Sequence, residues 1–197
     1  MARSRTLGAM AKTANPESET WQPARLIPTS GISGADEQER RATSALLAVM
    51  TSVRDFGLSI VVPLGCPKAN LETYTEVPFK LDGRTVIPDG LIRAQRGSRT
   101  WTCLVEVKTG SAELRKEQVE AYLDVAKAQG FDCVVTISNA LRAPDGTHPL
   151  QVDGRKTKSV ALHHLSWSAL LTAGKSSVFS WRLRPSARSG LMYLKIS

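Results

Sequence analysis

Apolar residues recur at three- and four-residue intervals through Ala42, Ala45, Leu46, Val49, Met50, Val53 and Phe56, the spacing of one helix face. The pattern predicts a first helix from Asp36, with Glu37 and Glu39 in the first turn, where the helix dipole favours negative charge, and Gly57 as its end. Extended character follows. Ser59 to Pro63 reads as a short strand or an extended connector, and Thr73 to Lys80 alternates as a strand. Leu81-Asp82-Gly83-Arg84 supplies the Asp-Gly chemistry of a hairpin turn. Thr85 to Ile92 is a second strand interrupted at Pro88, whose missing N–H calls for an edge, a bulge or a strand end. After a polar turn from Gln95 to Arg99, Trp101 to Lys108 forms a third strand with Leu104, Val105 and Val107 as its apolar centre.

Ser111 is the predicted N-cap of a second helix that ends at Gly130, with Leu114, Gln118, Ala121, Tyr122 and Val125 on one face. Cys133 to Ile137 is a continuous apolar run, the mark of a strand covered on both sides. Turns at Asp145-Gly146 and Asp153-Gly154 lead to a last strand, Ser159 to Leu165, and to a short helix capped by Ser166. Residues 1–34 carry no sustained apolar period and are expected to be a disordered tail; residues 176–197 read as a tail, a late strand or a shortened extension. Helix, three strands, helix, strand, strand, helix defines an α/β layer arrangement over residues 35–175, with one helix crossing between two strands of a sheet.

Composition narrows the setting. A chain of 197 residues with 42% hydrophobic and 22% charged residues is enough for one ordinary domain, and no run approaches the roughly 20 apolar residues of a membrane span. Cys66, Cys103 and Cys133 are odd in number and lack C-x-x-C pairing, which argues against a disulfide framework or zinc ribbon. With no apolar signal segment at the N-terminus, a cytoplasmic setting is expected. The net charge of +8 suits a polyanionic partner, whose condensed counterions are released on binding.

Candidate chemistry lies at two strand ends. Alternation puts Glu106 and Lys108 on one face of their strand and Val105 and Val107 on the other. Asp89 ends the preceding strand, so an antiparallel pairing of the two would bring Asp89 and Glu106 to one point. Two carboxylates and a backbone carbonyl form an oxygen-rich pocket for a hard divalent cation, which can polarise a phosphoryl oxygen and acidify a bound water. Lys108 would position that water or stabilise the charge developing on phosphate. An E-x-K tripeptide by itself is weak, since chance supplies one in roughly a few hundred residues. His163 and His164 point to opposite faces of a strand and His148 shows no sequence partner, so structural or solvent roles are expected for all three. There is no phosphate-binding G-x-x-x-x-G-K-[ST] loop.

Ile87-Pro88-Asp89-Gly90, followed by Val105-Glu106-Val107-Lys108, resembles the signature of the PD-(D/E)xK nucleases, and Gln118-Val119-Glu120-Ala121-Tyr122 resembles the Q-x-x-x-Y motif of one branch. The resemblance implies a restriction-endonuclease-like αβββαβ core, a mixed central sheet flanked by helices. It implies catalytic Asp89, Glu106 and Lys108, and Mg²⁺ or Mn²⁺ held by Asp89, Glu106 and the Val107 carbonyl. Glu39 of the first helix is a further metal candidate and Glu76 a weaker one. Gln118 and Tyr122 would contact substrate. The expected partner is nucleic acid, DNA first, in defence or repair, with room for a homodimer or a larger nuclease or helicase assembly. A catalytically silent binding domain of the same fold is the alternative.

Overall fold

In the computed structural model the described residues are 21–26, 35–140 and 148–182. The strands are β1 (Gln22–Pro23), β2 (Leu71–Thr75), β3 (Phe79–Leu81), β4 (Arg84–Val86), β5 (Gly90–Arg96), β6 (Arg99–Val107), β7 (Cys133–Ser138) and β8 (Ala161–Ser166). The helices are α1 (Ala35–Ser52), α2 (Arg54–Val61), α3 (Lys116–Gln129) and α4 (Trp167–Arg182).

Six strands form one mixed sheet in the order β1-β2-β5-β6-β7-β8, antiparallel as far as β6 and parallel from β6 to β8. The change of sense follows from the connections. Gly97 and Ser98 close β5 onto β6 as a two-residue hairpin, with Gly97 at a φ of 61° that costs glycine little. A return from β6 to a parallel β7 needs a crossover, and α3 provides it. Alternate residues of β6 and β7 feed two cores. Cys103, Val105, Val107, Cys133, Val135 and Ile137 pack with Leu47, Met50, Phe56, Ile60 and Leu170 from α1, α2 and α4. Leu91, Leu104 and Val134 pack on the other face with Val119, Tyr122 and Leu123 of α3.

The α/β layering and the apolar central strand expected from the sequence are present. Several boundaries differ. The first helix is two: the chain breaks at Val53, and the second segment turns away by 108°. Gly57 therefore lies inside α2, where a Cβ would fall 2.1 Å from the Met50 carbonyl oxygen; the glycine is needed for close approach and ends nothing. Ser59–Pro63 is helical, running from α2 into a 3₁₀ turn at Val62–Leu64, because Ile60 and Val61 bury one face of that turn in the core. The expected strand Thr73–Lys80 divides at Glu76, which takes a φ of 51°, and its second half joins β4 in a separate ribbon. Asp82 and Gly83 make the anticipated hairpin turn there, with φ values of 48° and 78°. Ser111 caps nothing; α3 starts at Lys116 and no side chain caps it, while Gly130 closes it with a φ of 68° as expected.

The expected tail is also partly folded. Within residues 1–34, Gln22–Pro23 pairs with β2 and Trp21 is buried against Tyr74 and Phe79; residues 1–20 and 27–34 lie outside the described set. At the other end α4 continues through residue 182, so the helix is longer than its apolar period suggested, and residues 183–197 lie outside the described set. The turn at Asp145-Gly146 lies outside it as well. No single helix among the described residues is long and apolar enough to cross a membrane.

Replacing a helical glycine by alanine ordinarily stabilises by up to about 1 kcal/mol. For Gly57→Ala the opposite sign is expected, a loss of about 2 kcal/mol from forcing α2 off the Met50 carbonyl. Urea midpoints of the two proteins measure it, and an unchanged or raised midpoint would contradict the tight crossing.

A candidate acid-lysine centre at the end of β6

Extending the β5–β6 register one step past Gly90↔Val105 sets Asp89 opposite Glu106. Pro88 has no N–H for the ladder, and the chain leaves β6 here toward the β3–β4 ribbon. The Asp89 side chain takes over the pairing. Its Oδ2 accepts the Val107 N–H at 2.8 Å, while its carbonyl accepts the Glu76 N–H at 3.2 Å. Gly90 leaves room for α1, since a Cβ there would sit 2.6 Å from a Leu47 methyl carbon.

Val105 and Val107 enter the first core, as alternation predicts, and Glu106 projects to the α3 side. The sequence places Glu106 where the strand leaves the core; instead its side chain is 0% exposed. Lys108 Nζ stands 2.8 Å from Glu106 Oε1 and 3.1 Å from Glu39 Oε2. Glu39 Oε1 also accepts the Thr109 N–H at 3.3 Å, which ties α1 to the end of β6. Neither Glu106 oxygen accepts a well-aligned hydrogen bond among the described residues, so this carboxyl is buried and under-satisfied.

Burial, and then the Asp89 carboxylate, push Glu106 up to about 7 against the opposing pull of Lys108. Burial likewise holds Asp89 above the ordinary carboxylate range, partly offset by the Val107 N–H and by Lys108. For Lys108, burial works to lower the pKa, but Glu106 and Glu39 outweigh it and hold the ammonium above its usual value.

The Val107 carbonyl can be placed by its peptide. Lys108 N–H donates to the Ile137 carbonyl of β7 at 2.8 Å. In a planar trans peptide the carbonyl points the opposite way, toward β5 and Asp89. Two carboxyls and this carbonyl therefore meet on one side of β6. The set suits a hard cation such as Mg²⁺, which takes one or two carboxylates and completes its shell with water or phosphate. Among the described residues no three His, Cys, Asp or Glu side chains are grouped to hold a metal unaided.

Gln118 and Tyr122 share a helix face and bond to each other, Nε2 to hydroxyl, at 2.9 Å. They diverge in role. Tyr122 is buried, and its hydroxyl donates to the Ile87 carbonyl at 3.2 Å, so it steadies the link that carries Asp89. Burial foremost, then the charge of Glu106, raise its pKa. Gln118 borders an open, mainly polar cleft of about 530 Å³ together with Glu39, Lys108 and Arg115. Glu76 takes no part, pairing with Arg40 at 3.2 Å on the surface.

Two features escaped sequence reasoning. Trp167 donates its indole N–H to the Lys108 carbonyl at 2.8 Å across 59 residues of chain. Thr136 lies between His148 Nε2 at 2.7 Å and His164 Nδ1 at 2.9 Å. The Leu150 N–H donates to His148 Nδ1 at 3.0 Å, which ties that ring to its own stretch of chain. His148 and His164 thus make hydrogen bonds within the fold, and His148 has a partner that the sequence did not reveal. Its only signal was a threonine within an apolar strand.

Comparison with known proteins adds little. No family model and no curated protein matches the chain. One solved structure, described as "Crystal Structure of Protein of Unknown Function AF1548", matches with a TM-score of 0.35 and 15% identity over 62% of this chain and 66% of that one, just under two thirds of its length. A likeness at that level defines neither the fold family nor the chemistry. What the coordinates define is an α/β protein with a mixed six-stranded sheet flanked by helices, and a buried acid-lysine cluster at the end of a central strand.

The raised carboxyl has a consequence for stability. The folded state holds the Glu106 proton more tightly than the unfolded chain, whose glutamate titrates near 4.5. Stability is therefore greatest below about pH 4.5 in this respect and falls as pH rises through about 7, by on the order of 3 kcal/mol. Glu106→Gln is neutral throughout, so its melting temperature relative to the parent should rise between pH 5 and pH 8 without added metal. A difference that stays flat would contradict the buried, proton-holding carboxyl.

Proposed function

We propose that the protein is a divalent-metal-dependent nuclease of the PD-(D/E)xK type, with a restriction-endonuclease-like core, acting on DNA phosphodiester bonds. The observation that carries the reading is the pairing of Asp89 with Glu106 across β5–β6, with a fully buried Glu106 carboxyl held against Lys108 at 2.8 Å and poorly supplied with other donors. A buried under-satisfied carboxyl is costly, and a bound cation would offset that cost. The order of elements around it, helix, strands, crossover helix, strand, agrees with the sequence signature.

Mg²⁺ or Mn²⁺, when bound, would supply Lewis acidity toward a phosphoryl oxygen and an acidified water. Asp89 and Glu106 would hold it, with the Val107 carbonyl turned to the same side. Glu39 keeps Lys108 charged and aimed at this centre from the cleft side. Lys108, the part-exposed member, would meet the attacking water or a non-bridging phosphate oxygen. Tyr122 acts one step back, through the Ile87 carbonyl, and Gln118 is the member of the helix motif that reaches the cleft. The basic excess of the chain favours the approach of a polyanion.

A second reading has its own support. Lys108 already lies against both Glu106 and Glu39, so an internal ammonium neutralises the site without any ion. A catalytically silent nucleic-acid-binding or protein-binding domain of this fold would look the same. It would bind its partner with no metal requirement and yield no product.

Incubation with linear, circular and single-stranded DNA, with and without Mg²⁺, separates the two. Mg²⁺-dependent products are expected, and Asp89→Ala, Glu106→Ala and Lys108→Ala should each lower the rate by 10²-fold or more while far-UV dichroism is retained. Full activity in any of the three folded variants would defeat the assignment. Mg²⁺ should also raise the melting temperature of the parent at pH 8 and leave that of Glu106→Ala unmoved.

A further inference from the structure

The turn at residues 110–114 stands between two openings. On one side is the polar cleft of Glu39, Lys108 and Gln118; on the other is a mainly apolar pocket of about 380 Å³. Ala112, Glu113 and Leu114 border both, so the two share a wall. The second pocket is closed by Leu114, Ala140, Pro149 and Leu150, with Ser111 at its rim and Ser138 below.

Its walls are tied to the sheet. His164 donates to the Ala140 carbonyl through Nε2 at 2.8 Å, and Ala140 N–H donates to Ser138 Oγ at 3.1 Å. Asn139 Nδ2 donates to the Gly110 carbonyl at 2.8 Å, joining the two sides. Leu150 N–H is held by His148, itself anchored to Thr136. The opening is thus pre-formed, and a ligand entering it would order few side chains, which keeps the entropic cost of binding low.

We propose that this pocket receives an unpaired nucleobase of the strand whose phosphate lies at Lys108, so that the substrate is a single-stranded or frayed DNA end. The inference rests on the nucleic-acid reading of the neighbouring cleft. A flat heterocycle is a ligand whose faces suit aliphatic side chains such as Leu114, Pro149 and Leu150 while its edge seeks a polar group, and Ser111 offers an exposed hydroxyl at the rim. Intact duplex keeps its bases stacked and paired, so a base reaches such a pocket only from a single strand or by leaving the helix. Phosphate contacts at Lys108 and Arg115 alone would not distinguish the two forms.

Binding tests the pocket apart from turnover. With Ca²⁺ in place of Mg²⁺, fluorescence anisotropy compares a thymidine octamer with an octamer of abasic units that has the same phosphates. The wild type should bind the thymidine strand about tenfold more tightly, the effect of burying the apolar faces of roughly one base against aliphatic side chains. Ser111→Trp and Ala140→Trp fill the pocket from opposite walls at exposed positions, and both should bind the two strands alike, at the abasic level. Ala140→Ser should keep the preference, and should either tryptophan variant fail to fold, the other decides. Equal binding of both strands by the wild type, as expected if the pocket takes an apolar peptide, overturns the proposal; so does a preference that survives both substitutions. Mg²⁺-dependent cleavage of DNA by the same proteins would then leave the nuclease reading standing. A preference lost in both variants, with no cleavage by the wild type, supports the base pocket and removes the nuclease.

Discussion

Placing a carboxyl in a central strand covered on both faces is the constraint around which this molecule is organised. β6 has a neighbour on each side and helices on both faces, so a group at position 106 is stripped of water by the same packing that builds the cores. Removing a carboxylate from water costs several kcal/mol even after relaxation, and one ion pair with Lys108 repays that only in part. The surroundings answer in kind. Glu39 and the Glu106 carboxyl hold Lys108 from two sides, Trp167 fixes its carbonyl, and the Val107 N–H fixes Asp89. None of these contacts makes a good general stabiliser. Together they keep an unfavourable arrangement in one geometry.

The layered α/β fold was legible wherever the apolar pattern was long and one-sided. β6, β7 and the body of α3 follow directly from period-two and period-3.6 spacing, and the Asp82-Gly83 and Gly130 positions follow from backbone chemistry. What failed was decided by contacts between distant segments. Gly57 looks like a terminator in sequence, yet it is a contact point between α1 and α2 that only their crossing reveals. Pro88 correctly signalled a strand end, but nothing local announced that Glu76 would split the preceding strand and send its second half into a separate ribbon.

The site was legible in the same uneven way. Asp89 and Glu106 were paired by hairpin logic, since only a short turn lies between their strands. Glu39 could be named as a candidate, but its actual partners, Lys108 and the Thr109 N–H, lie 69 and 70 residues away. Tyr122 was placed on the helix face of Gln118 as a substrate contact; its ring fills the second core, and its hydroxyl bonds to the Ile87 carbonyl. Exposure is a property of the assembled layers, so a sequence gives the residue type more readily than its depth.

The change from antiparallel to parallel pairing at β6 bears on how the molecule assembles. The β5–β6 hairpin needs only a tight turn, so its two carboxyls can meet early, while still in water and at little electrostatic cost. What keeps water from them is α3, which crosses over and lays Tyr122 and Leu123 against the sheet. The lysine is clamped from both sides only once α1 and α4, whose contacts to it close loops of 69 and 59 residues, are also in place. The charged centre is therefore whole only when every layer is in place, so its geometry reports on the complete fold and not on any one element.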